Sequence, residues 1–127
     1  MIRSGICFSI FIAFTTLQAC ADLENSENES NLNSDVYKGY YIYGHEVNTF
    51  QPCGQTRVLW VSGSNQVLKK MRQHYARYTD QPYEEVFVEL AGVLAGKAAD
   101  GFAMDYDGQF LVKKMLTMKA KSKDDCK

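Results

Sequence analysis

The sequence predicts a mainly β domain with one helix, closing as a small barrel of five strands. Three observations carry that expectation. Runs of β-branched and aromatic residues flank a single segment of 3.6-residue periodicity, glycines interrupt those runs, and no repeat or second periodic segment follows. Of the 127 residues, 46% are hydrophobic and 13% aromatic, enough for one core, while the 23% that are charged leave a net charge of only −1. That balance withholds the counterion release on which unspecific nucleic-acid binding depends, so no nucleic-acid partner is expected.

Residues 37–51 are rich in Tyr, Val, Ile, Thr and Phe and are expected as one long strand, bent or bulged at Gly39 and Gly44. Pro52-Cys53-Gly54-Gln55 reads as a turn, and residues 56–61 (TRVLWV) as a second strand that pairs back as a hairpin. Ser62-Gly63-Ser64-Asn65 supplies turn and N-cap chemistry for a helix. Its apolar arc holds Val67, Leu68, Met71, Tyr75 and Tyr78, with Lys69, Lys70, Arg72, Gln73 and Arg77 outside it, and Pro82 bars continuation. Residues 85–94 alternate Val86, Val88 and Leu90 against Phe87 and Ala91, the pattern of a strand. After a loop over 96–101 comes a strand candidate at 102–106 (FAMDY), whose independent pairing the pattern leaves open. The turn Asp107-Gly108 and a longer strand, QFLVKKMLTM, complete the chain. Curved, glycine-containing strands on either side of one helix suit an OB-like barrel plugged at one end by that helix.

Residues 1–19 read as an export signal: Arg3 precedes an apolar run of about 13 residues, short of the roughly 20 that a spanning helix requires. Leu17-Gln18-Ala19-Cys20 resembles the lipobox of bacterial lipoproteins. The resemblance implies cleavage before Cys20, a diacylglyceryl thioether on its sulfur and an acylated new N-terminus, which together anchor stably where one chain would not. An uncharged Ala21 directly after the cysteine, with Asp22 only at the next place, implies the outer membrane. Residues 20–34 are expected as an acidic, disordered tether. Asp22, Glu24, Glu27 and Glu29 lie among asparagines and serines that bury too little to offset ordering entropy, giving a reach of roughly 20 Å. The folded unit is then 35–127.

Of the four cysteines, Cys7 leaves with the signal and Cys20 carries lipid, leaving Cys53 and Cys126. In an exported domain the simplest arrangement is a Cys53–Cys126 disulfide, with two free thiols or an intermolecular bridge as the alternatives.

Tyr40-Tyr41-Ile42-Tyr43-Gly44, then Phe50-Gln51-Pro52-Cys53-Gly54 and Val58-Leu59-Trp60-Val61, followed by a helix and a late cysteine, resemble the C-terminal OB domain of NlpE-type envelope lipoproteins. The likeness covers about residues 37–126. The CxxC-bearing N-terminal barrel of that family is missing ahead of this unit, so copper-linked or surface-sensing roles tied to the longer architecture are not implied. The resemblance implies an outer-membrane lipoprotein, its domain facing the periplasm, that binds or reports envelope state without catalysis.

The residues themselves point the same way. His45 and Glu46 are expected on opposite faces of a strand, unable to share an ion, and His74 reads as a structural histidine, so no catalytic, metal or cofactor residues are expected. Tyr37, Tyr40, Tyr41, Tyr43 and Trp60 are candidates for a stacking surface, chiefly Tyr41, Tyr43 and Trp60, although period-two alternation divides the tyrosines between faces. Lys113, Lys114, Lys119, Lys121, Lys123 and Lys127 make the last segment basic, a solvated edge or a contact for anionic envelope polymers. The partners expected are therefore the membrane, through the anchor, and an envelope protein, polymer or small ligand. A rival reading is inhibition of a hydrolase such as lysozyme or a protease through the 95–108 loop with Asp100, Asp105 and Asp107.

Overall fold

Which side chains turn inward is set by the alternation along each strand. The computed structural model describes residues 34–127, so the export signal, Cys20 and nearly all of the acidic tether lie outside the described residues. Strands β1 (Asp35–Gly44), β2 (Val47–Pro52) and β3 (Leu59–Gly63) precede helix α1 (Asn65–Tyr78). Strand β4 (Glu85–Ala95), a 3-10 turn at Phe102–Asp105 and strand β5 (Gly108–Ala120) follow it. The strands close in the order β1-β2-β3-β5-β4, an OB-like barrel in which β3 and β5 are parallel and the other neighbours antiparallel.

Val86, Val88 and Leu90 point inward from β4 to meet Tyr41, Phe50, Leu59, Val61, Phe110 and Val112, all nearly or wholly removed from solvent. Each such side chain contributes about 1.5–3 kcal/mol of transfer free energy. Phe110 lies at the centre, edge-on to Tyr37 at 5.4 Å and tilted against Phe50 at 5.0 Å. Two glycines let the strands come this close. A Cβ at Gly39 would sit 2.2 Å from the Gln51 carbonyl oxygen, and one at Gly92 would sit 2.5 Å from that of Leu111. Beside Gly92 the β4–β5 register shifts, which bends the pair around the barrel.

The helix begins where Ser64, in extended conformation, accepts a hydrogen bond from the Val67 N–H. Val67, Met71 and Tyr75 are its buried face, and they plug the end of the barrel lined by Tyr41, Met115 and Met118. Thr79 ends the helix, its hydroxyl donating to the Tyr75 carbonyl at 2.9 Å.

Two expectations are corrected, and the strand count of five stands with different members. Residues 37–51 are not one bent strand but the hairpin β1–β2, paired from Gly39↔Pro52 to Gly44↔Val47. The two-residue turn is His45-Glu46, with Glu46 at φ 59°, a left-handed position usually given to Gly or Asn. The FAMDY segment is no strand. Its first four residues form the 3-10 turn, and Asp107 makes no hairpin with Gly108: its carboxylate accepts from the Val58 N–H at 2.8 Å, while its own N–H donates to the Val58 carbonyl. That reciprocal pair sets the start of the parallel β3–β5 ladder.

Candidate functional site

The chemistry that distinguishes this barrel is gathered where the end of β2 meets the segment after β5. Pro52 closes β2, and the next residue, Cys53, donates its N–H to the Lys38 carbonyl at 2.8 Å. Its sulfur is bonded to that of Cys126, 73 residues further along the chain. The tail is folded for this contact by Asp125, whose side chain is only 1% exposed. One carboxylate oxygen faces the Lys119 ammonium at 2.6 Å, and the other accepts from the Ser122 N–H. The Lys119 hydrogen bond holds the Asp125 carboxyl below its ordinary pKa, helped by the Ser122 N–H and the charge of Lys121.

The same lysines extend across the outer face. Lys119 lies 4.9 Å from the centre of the Phe87 ring and Lys121 lies 4.6 Å from that of Tyr40, and those rings meet edge-on at 6.4 Å. Phe87 is thus buried although it points away from the barrel interior. Lys121 also pairs with Glu85, and this hydrogen bond raises its pKa. Covalent bond, ion pairs and cation–π contacts together make a clasp over the β1–β4–β5 surface.

The aromatic candidates do not form one surface. Tyr41 is 1% exposed and belongs to the core, so it is withdrawn from any ligand face. Its hydroxyl donates to Asn48 Oδ1 at 2.6 Å, and burial raises its pKa. Tyr43 is half-buried against Tyr75, with the Arg72 guanidinium 6.0 Å from its ring. Trp60 faces the opposite way, on the outside of β3, where it packs against Tyr106 at 5.6 Å. Period two explains the split: Tyr41 and Tyr43 follow the inward row of β1, and Trp60 alternates with the buried Leu59 and Val61.

His45 and Glu46 occupy the β1–β2 turn rather than a strand, so the expected division between faces does not apply, and their side chains approach to 3.5 Å. No group of three or more metal-ligating side chains occurs among the described residues. His74 is half-buried on α1. In the β4–β5 loop, Asp107 is engaged with Val58, whereas Asp100 and Asp105 are exposed beside Phe102 and Met104, which are 52% and 51% exposed. Sequence reasoning missed this apolar pair because FAMDY reads as half-buried strand. It also missed Asp125, which looks like one more charge in a solvated tail.

The family model of the NlpE C-terminal OB domain matches residues 31–127. Neither the curated proteins nor the solved structures yield a match to the chain. The match spans the barrel, the helix plug and both cysteines of the clasp, and by it the chain belongs to the NlpE C-terminal OB domain family.

Proposed function

We propose that this protein is an envelope lipoprotein, anchored in the outer membrane by acyl groups on Cys20, whose barrel reports envelope state or binds an envelope component without catalysing a reaction. The observation that carries the reading is the Cys53–Cys126 bond, which ties the last seven residues to the end of β2. Disulfides form and persist chiefly in oxidising compartments, so the closure of the seam depends on where the chain is and on the thiol chemistry it meets there. Membership in the NlpE C-terminal family supports the envelope setting. Export signal 1–19, tether 20–34 and domain 35–127 fit the same reading, with the tether holding the barrel off the lipid surface.

Growth with an alkyne-tagged fatty acid tests the anchor. The wild-type protein should carry the tag and Cys20→Ala should not; an untagged wild-type protein would remove the lipoprotein reading. Affinity capture from native envelopes with the lipidated chain then identifies the partner.

One observation favours a second reading, inhibition of a hydrolase. Phe102 and Met104 project from the β4–β5 loop beside Asp100 and Asp105, an apolar and acidic tip able to enter a cleft. A lysozyme or protease assay with the 35–127 barrel decides it, since full enzyme activity at saturating barrel would end this reading.

A further inference from the structure

Lys70 of α1 meets Lys113 and Lys114 of β5 around one cavity of about 190 Å³, which Ser64, Gln66, Val67 and Met115 also line. Four other lysines, Lys38, Lys119, Lys121 and Lys127, stand in ion pairs, whereas Lys70, Lys113 and Lys114 have no acidic partner among the described residues. Three like charges brought together repel one another until an anion joins them.

The register shows which anionic segment of this chain is nearest. Asp35 lies opposite Gly92, and Gly92 opposite Val112; Val36 lies opposite Ala91, and Ala91 opposite Lys114. The point where the chain enters β1 is therefore two strand spacings, about 10 Å, from the lysine-bearing stretch of β5. Just before that entry come Asp22, Glu24, Glu27 and Glu29, with no basic residue between them and Asp35. The stretch from Glu29 to Asp35 has a maximum length of roughly 20 Å, twice the distance to be covered.

We infer that Lys70, Lys113 and Lys114 form a docking surface for the acidic segment 22–29 of the same chain. The segment supplies the missing counter-charge at the high effective concentration that covalent connection guarantees. Bound there, it shields the lysines from anionic partners of the envelope and shortens the link between anchor and barrel. A polyanion that competes for the lysines releases it.

Zero-length carbodiimide cross-linking of residues 21–127, which contain the whole barrel, tests the inference at dilute protein. Amide links from Asp22, Glu24, Glu27 or Glu29 should form within monomers at Lys70, Lys113 and Lys114. Their yield should exceed that at the exposed Lys97 and Lys123 about fivefold in low salt, and the preference should vanish near 1 M salt, where the screening length is about 3 Å. Even spreading over all lysines, or links found only in dimers, would overturn it. Phosphatidylglycerol vesicles distinguish the rival occupant. Retention of the wild-type chain, dependent on the three lysines and as strong as that of a variant with the four acids changed to Asn and Gln, would assign the surface to lipid and refute the inference. Stronger retention of that variant would support it.

Discussion

The two closures of this barrel differ in kind. At the helix end, Val67, Met71 and Tyr75 enter an apolar rim of Tyr41, Met115 and Met118, so closure rests on burial, with the Tyr75 hydroxyl donating to the Glu84 carbonyl at 2.7 Å. At the other seam, Cys53–Cys126, Lys119–Asp125 and Lys121–Glu85 hold the tail, and closure depends on oxidation, pH and salt. Hydrophobic burial is insensitive to thiols and protons, so the plug does not depend on the redox state or the pH that the clasp meets. The clasp is the part whose bonds respond to thiols, protons and salt.

Mutations should separate the two closures. The largest effect is expected in the core shared by both: Phe110→Ala, at 0% exposure, should remove about 3–5 kcal/mol and unfold the protein cooperatively in denaturant titrations, oxidised or reduced. Met71→Ala addresses the plug alone and should cost about 2–5 kcal/mol, with the disulfide still intact by mass spectrometry. A smaller loss, about 1–3 kcal/mol, is expected for Gly39→Ala, because the added methyl meets the Gln51 carbonyl beside the clasp. Ser64→Ala should cost about 0.5–1 kcal/mol through the lost cap.

The smallest change, confined to the ion pair of the clasp, is in pH dependence. The native pKa of Asp125 is lowered by Lys119, so the folded state binds fewer protons there than the unfolded state. Its stabilisation is complete above the ordinary carboxylate range and is lost as pH falls through that range and past the lowered value. Acid titration of Asp125→Asn should therefore show a shallower loss of stability than wild type over that interval. Parallel curves would show that the ion pair adds no stability to the clasp.

The elements legible in the sequence are those whose signals are local. Ser64 and the spacing of Val67, Met71 and Tyr75 give the helix within a residue or two, and the alternation of Val86, Val88 and Leu90 gives the inward row of β4. The β1–β2 turn was concealed because Gly44-His45-Glu46-Val47 carries no Asn-Gly signal, and the left-handed position falls to Glu46, which the tertiary setting tolerates. Asp107 reads as a turn residue for a different reason. Its role is to meet Val58, 49 residues away in the chain, and local turn propensity contains no record of a long-range parallel ladder. At the candidate site the cysteine pair could be found by counting, whereas the position of Asp125 beneath Lys119 depends on how the tail folds back once that pair has joined.

Denaturant unfolding of the oxidised and the reduced protein, measured side by side, bears most directly on the clasp. A loop closed between residues separated by 73 positions should stabilise the oxidised form by about 4 kcal/mol through the entropy it removes from the unfolded chain. The expected result is a loss of that size on reduction, reproduced by Cys53→Ser. Equal unfolding free energies for the two forms would show that the bond does not hold the seam, and would contradict the reading of this domain as a reporter of its compartment.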